Sequence, residues 1–173
     1  MKRVKKEHRD KIMDMIEKAG SEEYETSWDE KGIPKSKKKS EIKKGKTSRA
    51  QGARFELKVR EKLESNNWII DKWTNNVDLE EGKLVKAKRK YNPFKKMLIV
   101  GTGFPDFIAF KLIGEKYDII GVESKINGIL SKIEKEKCRW LLNNKIFSEI
   151  LIAKKGEKRG QIEYIDFAEK YGK

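Results

Sequence analysis

The run YDIIGVESK, Tyr117 to Lys125, decides how the second half of the chain reads. Ile119, Ile120 and Val122 have the apolar, β-branched character of a strand in a sheet interior. The run then ends on an acid, Glu123, and a base, Lys125. Opposite charges at the end of an apolar strand are costly to desolvate unless they are paired or used. Side chains two residues apart share one side of a strand at a backbone spacing of about 7 Å, so Glu123 and Lys125 can converge at their tips.

The preceding run, DFIAFKL (106–112), reads as a second strand joined to the first by a short turn at Gly114. Residues 106 and 123 are nearly symmetric about that turn, so pairing of the two strands brings Asp106 beside Glu123. Two carboxylates held close raise the pKa of one of them unless a cation sits between. A hard divalent ion such as Mg²⁺ takes oxygen ligands at about 2.0–2.1 Å and is commonly held by one or two carboxylates plus water and phosphate oxygens.

Around this pair the periodicities fill in a domain. GARFELKVREKLES (52–65) sets Phe55, Val59 and Leu63 at i, i+4 and i+8, an amphipathic helix, and WIIDKW after it is a short strand. MLIV (97–100) is a further strand. LSKIEKEKCRWLLNN (130–144) is a helix whose Ser131 and Glu134 have capping-box spacing. FSEILIAKK and QIEYID are strands about a turn at Gly156–Gly160, and DFAEKYG is a short terminal helix. The expected fold is α/β, a mixed β-sheet flanked by helices. Glu56 lies about 20° from Leu63 on the helical wheel, at the edge of the apolar face, an odd place for an unpaired acid.

Residues 3–19 place Val4, Ile12, Met15 and Ile16 on one helical face, with Gly20 as the stop. From Ser21 to Arg49 no periodicity is visible, and Gly, Pro, Ser and Lys cluster, which reads as linker. Residues 31–49 hold nine Lys or Arg against one acid, Glu41. The expected organisation is an N-terminal helix and Lys-rich arm over residues 1–48, followed by a domain over 49–173. A second basic stretch, Gly82 to Lys96, carries seven basic residues and no acid, with Tyr91, Pro93 and Phe94 between them. Its composition suits backbone contact and base stacking, or a solvated hairpin.

With 173 residues, 40% of them charged, and a net charge of +14, the chain favours a polyanionic partner, nucleic acid first. No stretch approaches the roughly 18–20 apolar residues that span a membrane. The expectation is a soluble, intracellular protein of the cytoplasm. One cysteine, Cys138, and one histidine, His8, exclude an internal disulfide and a zinc cluster, so any metal must be held by carboxylates. GTGFPD has two glycines but no third and no following helix, which argues against a dinucleotide loop.

The order Glu56 on an early helix, then FPDFIAF, then VESK with sixteen residues between Asp106 and Glu123, resembles the PD-(D/E)XK nuclease superfamily. Within it, RAQGARFELKVREKLE and the helix beginning ILSKIEKEK resemble archaeal Holliday-junction resolvases and their viral relatives, over roughly residues 49–166, with about 78–97 as a basic insertion. The resemblance implies a restriction-endonuclease-like core and Mg²⁺-dependent hydrolysis of DNA phosphodiester bonds, with Mn²⁺ able to substitute. It implies that Asp106, Glu123 and the backbone carbonyl of Ser124 bind the metal. Glu56 would complete the site directly or through water. Lys125 would orient or help deprotonate the attacking water and steady the phosphate charge. Lys137, where relatives carry Gln or Lys, would reach the scissile phosphate or snorkel outward along the helix. Branched DNA and a homodimer are the implied substrate and assembly, and an infected host cell the setting for a viral relative. A restriction-type or repair nuclease on duplex or single-stranded DNA, and a basic DNA-binding protein without catalysis, are the alternative readings.

Overall fold

The computed structural model describes residues 6–92, 96–101 and 103–172. The chain divides into two compact units, Met1–Gln51 and Gly52–Lys173. Val4, Pro93 and Phe94 lie outside the described residues.

The first unit corrects the linker reading. Helix α1 (Lys6–Gly20) is followed by an antiparallel hairpin, β1 (Tyr24–Trp28) and β2 (Pro34–Lys38), with Trp28 opposite Pro34 and Tyr24 opposite Lys38. α1 packs against both strands. The hairpin forms without an apolar stripe because its loop is self-templating. Asp29 Oδ1 accepts from the backbone N–H of Lys31 and of Ile33, each at 2.9 Å, and Gly32 takes a φ of +70°. Helix α2 (Lys39–Ser65) then starts well before the helix expected from residue 52, and the division at Gln51/Gly52 falls inside it. Its first turns, KSEIKKGKTSRAQ, are polar all round, so no apolar period marks them, while Lys, Arg, Glu, Gln and Ala still favour helix.

The second unit is a five-stranded mixed sheet with helices on its faces, in the order β11, β10, β9, β8, β3. These strands are β3 (Ile69–Lys72), β8 (Phe107–Ile113), β9 (Lys116–Ser124), β10 (Glu149–Lys155) and β11 (Ile162–Asp166). β8 pairs antiparallel with both β3 and β9, β10 pairs parallel with β9, and β11 closes antiparallel on β10. Between β3 and β8 lie two separate hairpins, β4 (Asn75–Asp78) with β5 (Lys83–Lys86), and β6 (Arg89–Asn92) with β7 (Met97–Val100). MLIV is therefore a strand of an accessory hairpin rather than of the main sheet. The parallel step from β9 to β10 is made by α3 (Lys132–Asn143), and α4 (Phe167–Tyr171) ends the fold.

Alternation along β9 sorts the core into two layers. Ile120 and Val122 face α2, packing with Val59, Leu63, Ile70, Phe107, Ala109 and Ala153. The opposite layer gathers Cys138 and Leu141 of α3, Phe147, Ile150, Ile152, Leu130 and Phe167. Period 2 then assigns Gly121 and Glu123 to the α3 side. Gly121 has a packing reason: a Cβ there would stand 2.9 Å from Pro105 Cγ and 3.1 Å from Phe147 Cδ2. Gly121→Ala is expected to destabilise the second unit by about 1–3 kcal/mol in urea unfolding, because the ring of Pro105 and the Phe147 side chain must both give way.

Candidate active site

The β8–β9 hairpin has a two-residue loop, with Ile113 opposite Lys116 and Gly114 at a φ of +63°, the tight turn in which glycine costs nothing sterically. Its ladder runs to Phe107 opposite Val122. Continued by one residue, the register sets Asp106 across from Glu123; continued by two, it sets Pro105 across from Ser124. The two carboxylates interlock across this end. Asp106 donates its backbone N–H to Glu123 Oε2 at 3.1 Å, and Ser124 donates its backbone N–H to Asp106 Oδ2 at 2.9 Å. Pro105 has no N–H, so the ladder offers the Ser124 carbonyl no donor at that position.

The approach to Asp106 is fixed from outside the sheet. Gly103 donates to the Trp73 carbonyl at 3.0 Å, Phe104 to the Asn75 carbonyl at 2.9 Å, and Trp73 donates to the Asp106 carbonyl at 3.3 Å. A side chain at Gly103 would run into the Trp73 and Asn75 carbonyls, so this close strapping needs glycine.

Lys125 lies between two carboxylates, at 3.0 Å from Glu123 Oε1 and 2.6 Å from Glu134 Oε1. Glu134 does double duty. Its Oε2 accepts from the Ser131 backbone N–H at 2.7 Å while Ser131 Oγ accepts from the Glu134 N–H, which completes the expected capping box of α3. Sequence reasoning found the cap but not the tie to Lys125. The signal was the short loop from Lys125 to Ser131, which returns the start of α3 to the end of β9.

Glu123 is 3% exposed, a charged residue buried in the core. Burial pushes its carboxyl up to about 8, with the Asp106 charge acting in the same direction and Lys125 only partly offsetting them. Asp106 is also raised, mainly by burial, against the Ser124 N–H and the charges of Lys125 and Lys72. Burial pulls the Lys125 ammonium down, but the bonds and charges of Glu134 and Glu123 outweigh it and hold the group above its usual value. Glu134 is depressed in spite of partial burial, by Lys125 and the Ser131 bonds. The ion pair and the high Glu123 value are compatible: burial costs the Glu123 anion more than Lys125 returns, whereas Glu134 and Glu123 together outweigh the lighter burial of Lys125.

Glu56 is half-buried, raised by burial and by the Asp106 charge, and lowered by Lys72 and Lys125, so it belongs to the same electrostatic neighbourhood. It does not close on the other two acids: among the described residues no group of three or more His, Cys, Asp or Glu side chains is placed to hold a metal ion. Glu56 sits on α2, which packs on one sheet face, while strand alternation assigns Asp106 and Glu123 to the other, yet the Asp106 charge still reaches it. Lys137 Nζ donates to Asn76 Oδ1 at 2.8 Å and lies 5.7 Å from the Phe104 ring centroid, which turns it toward β4 rather than outward along α3. Lys72, at the end of β3 opposite Phe107, acts on both Glu56 and Asp106 and was missed. Its signal was another charged pair, Asp71–Lys72, at the end of an apolar strand. Cys138 is buried in the core, and burial pushes its thiol up, so it serves packing.

Asp106 and Glu123 with the Ser124 carbonyl would offer an all-oxygen donor set, whose two acids are raised chiefly by burial, with Lys125 only partly offsetting it. Such a set suits a hard divalent cation completed by water or phosphate oxygens. No protein family, curated protein or solved structure matches the chain. Among the described residues no helix is long and apolar enough to cross a membrane.

Between the ordinary carboxylate range and about pH 8 the fold retains a proton on Glu123 that the unfolded chain has released. Stability therefore falls as pH rises through that window. In EDTA, Glu123→Gln is expected to exceed the wild type in urea-unfolding stability at pH 9 by roughly 1–4 kcal/mol and to match it near pH 4.5. A difference that does not change with pH would place the Glu123 proton elsewhere.

Proposed function

We propose that the chain is a Mg²⁺-dependent endonuclease with a restriction-endonuclease-like core that hydrolyses DNA phosphodiester bonds. The observation that carries this reading is the interlock of Asp106 and Glu123 at adjoining strand ends, with Lys125 on the same side of β9. The order PD, spacer, ESK in the sequence supports the same reading. The net charge of +14 supports a nucleic-acid substrate.

Asp106, Glu123 and the Ser124 carbonyl would hold Mg²⁺, which when bound supplies an acidified water and positive charge beside the phosphate. Glu123 must give up its proton for this. Lys125, held protonated by Glu123 and Glu134, serves as a fixed cation facing the charge that develops on the phosphate rather than as the base. Glu56 and Lys72 act through space, one tempering the other over the outer edge of the site. Branched DNA as the preferred substrate, a homodimer as the active form, and Mn²⁺ as a substitute cation follow from the resemblance to junction resolvases alone.

The decisive measurement is a cleavage panel of labelled four-way junction, flap, single-stranded and linear duplex DNA with and without Mg²⁺. Cleavage of at least one substrate is expected, lost in Asp106→Ala and Glu123→Ala with DNA binding retained. A wild-type protein inert on every form with Mg²⁺ and with Mn²⁺ would leave only the binding protein. Mg²⁺ binding is also expected to release a proton and to tighten as pH rises toward about 8, because the cation replaces the proton on Glu123. Titration calorimetry in two buffers of different ionisation enthalpy reads that release, and Glu123→Gln is expected to remove it.

A further inference from the structure

A cavity of about 680 Å³ lies between the β4–β5 hairpin and α3. The hairpin is anchored there: Val77 of β4 is buried with Cys138 and Leu141 of α3, and Leu84 and Trp140 pack against the same cluster. The cavity shares a wall with the candidate active site. α3 turns Glu134 to Lys125, while Ile133 and Lys137 on the same turns line the cavity. Lys137 also stands over Phe104, two residues before Asp106.

The chemistry of the walls is graded along the hairpin. At its tip, where Asp78 faces Lys83, the lining carries Asp78 and Glu80. At its base, where Asn75 faces Lys86, the lining carries Lys86, Lys88 and Lys137. The base is the end strapped to the Gly103–Asp106 approach, through Phe104 and Asn75. Between the two ends the lining is apolar, with Val77, Val85 and Ile133, of which Ile133 is 59% exposed, and Leu79 adds an apolar side chain at the tip. Asn76 Oδ1 is taken by Lys137 and by the Val77 N–H, so the amide offers a ligand its NH₂ donors.

Cations at the end toward the carboxylates, an apolar slot, and an amide donor are what a single nucleotide needs: phosphate, base faces and base edge. A volume in the small-ligand range of about 300–1,000 Å³ admits one nucleotide and excludes a paired duplex. We propose that this cleft receives one unpaired nucleotide next to the phosphate that is cut, so that the substrate is DNA with an unstacked or displaced nucleotide at that position. The proposal rests on the nuclease reading for the word cut, and on the cavity alone for the binding. Removing a base from the stack is least costly where it is already unpaired, so the cleft selects for such DNA.

The test is binding, in Ca²⁺ and in EDTA, of a duplex carrying one unpaired 2-aminopurine against the fully paired duplex, with Mg²⁺ cleavage recorded separately. The wild type is expected to prefer the unpaired form by about tenfold, because a paired base must first leave its stack at a cost of a few kcal/mol, with a change in 2-aminopurine emission on binding. Ile133→Glu, which sets a carboxylate in the apolar slot against an entering nucleotide, is expected to abolish the preference and the emission change while altering paired-duplex affinity far less. Should that variant melt early, Lys86→Ala with Lys88→Ala reads the same cleft from its cationic end and is expected to reduce the preference. Equal binding of the two duplexes by the wild type, or a preference that survives in the folded variants, overturns the cleft. Cleavage without selectivity refutes the cleft and spares the nuclease. Selectivity without cleavage on any DNA does the reverse.

Discussion

Glu123 is a carboxylate almost wholly removed from water at the end of an apolar strand, and the neighbouring structure is organised around that cost. Its two oxygens accept from the Asp106 N–H and from Lys125, and Asp106 in turn accepts from the Ser124 N–H. Each acid thus caps the backbone of the other's strand. That exchange exists only in one register of β8 on β9, which the two-residue turn at Gly114 sets. A slip by one residue would turn Glu123 to the α2 face, into the packing around Val59 and Leu63.

The same constraint explains α3. Its first turn carries Glu134, which caps the helix and neutralises Lys125 at once, so the helix start and the strand end are a single electrostatic unit. Without Glu134, Lys125 would have only a neighbour whose own ionisation is suppressed. Below that unit, Gly121 opens the space in which Pro105 sits, and the strap from Trp73 and Asn75 holds the segment leading to Asp106. The β4–β5 hairpin, inserted between β3 and β8, therefore does more than decorate the surface, because the chain that positions Asp106 also carries one wall of the cleft beside it.

The strands and helices of the second unit were legible because they bury one face each. Val59 and Leu63, Ile120 and Val122, Cys138 and Leu141 mark periods that survive the high charge of the chain. Asp106, Glu123 and Lys125 could be placed together because hairpin symmetry and strand alternation are short-range rules. The first unit was misread as linker for the complementary reason: the hairpin at Asp29–Gly32 and the early turns of α2 are held by backbone and side-chain hydrogen bonds with no apolar stripe to announce them.

By itself the sequence determined the α/β character of residues 52–172, the pairing of β8 with β9 and the convergence of Asp106, Glu123 and Lys125, since each follows from spacing along one or two neighbouring elements. Only the tertiary structure decided what comes from elsewhere in the chain. It tied Glu134 to Lys125, brought Lys72 and Glu56 into the field of Asp106, and turned Lys137 to Asn76. Those outcomes depend on which elements stack against which sheet face and how far each side chain can reach. Distance along the chain carries no record of either.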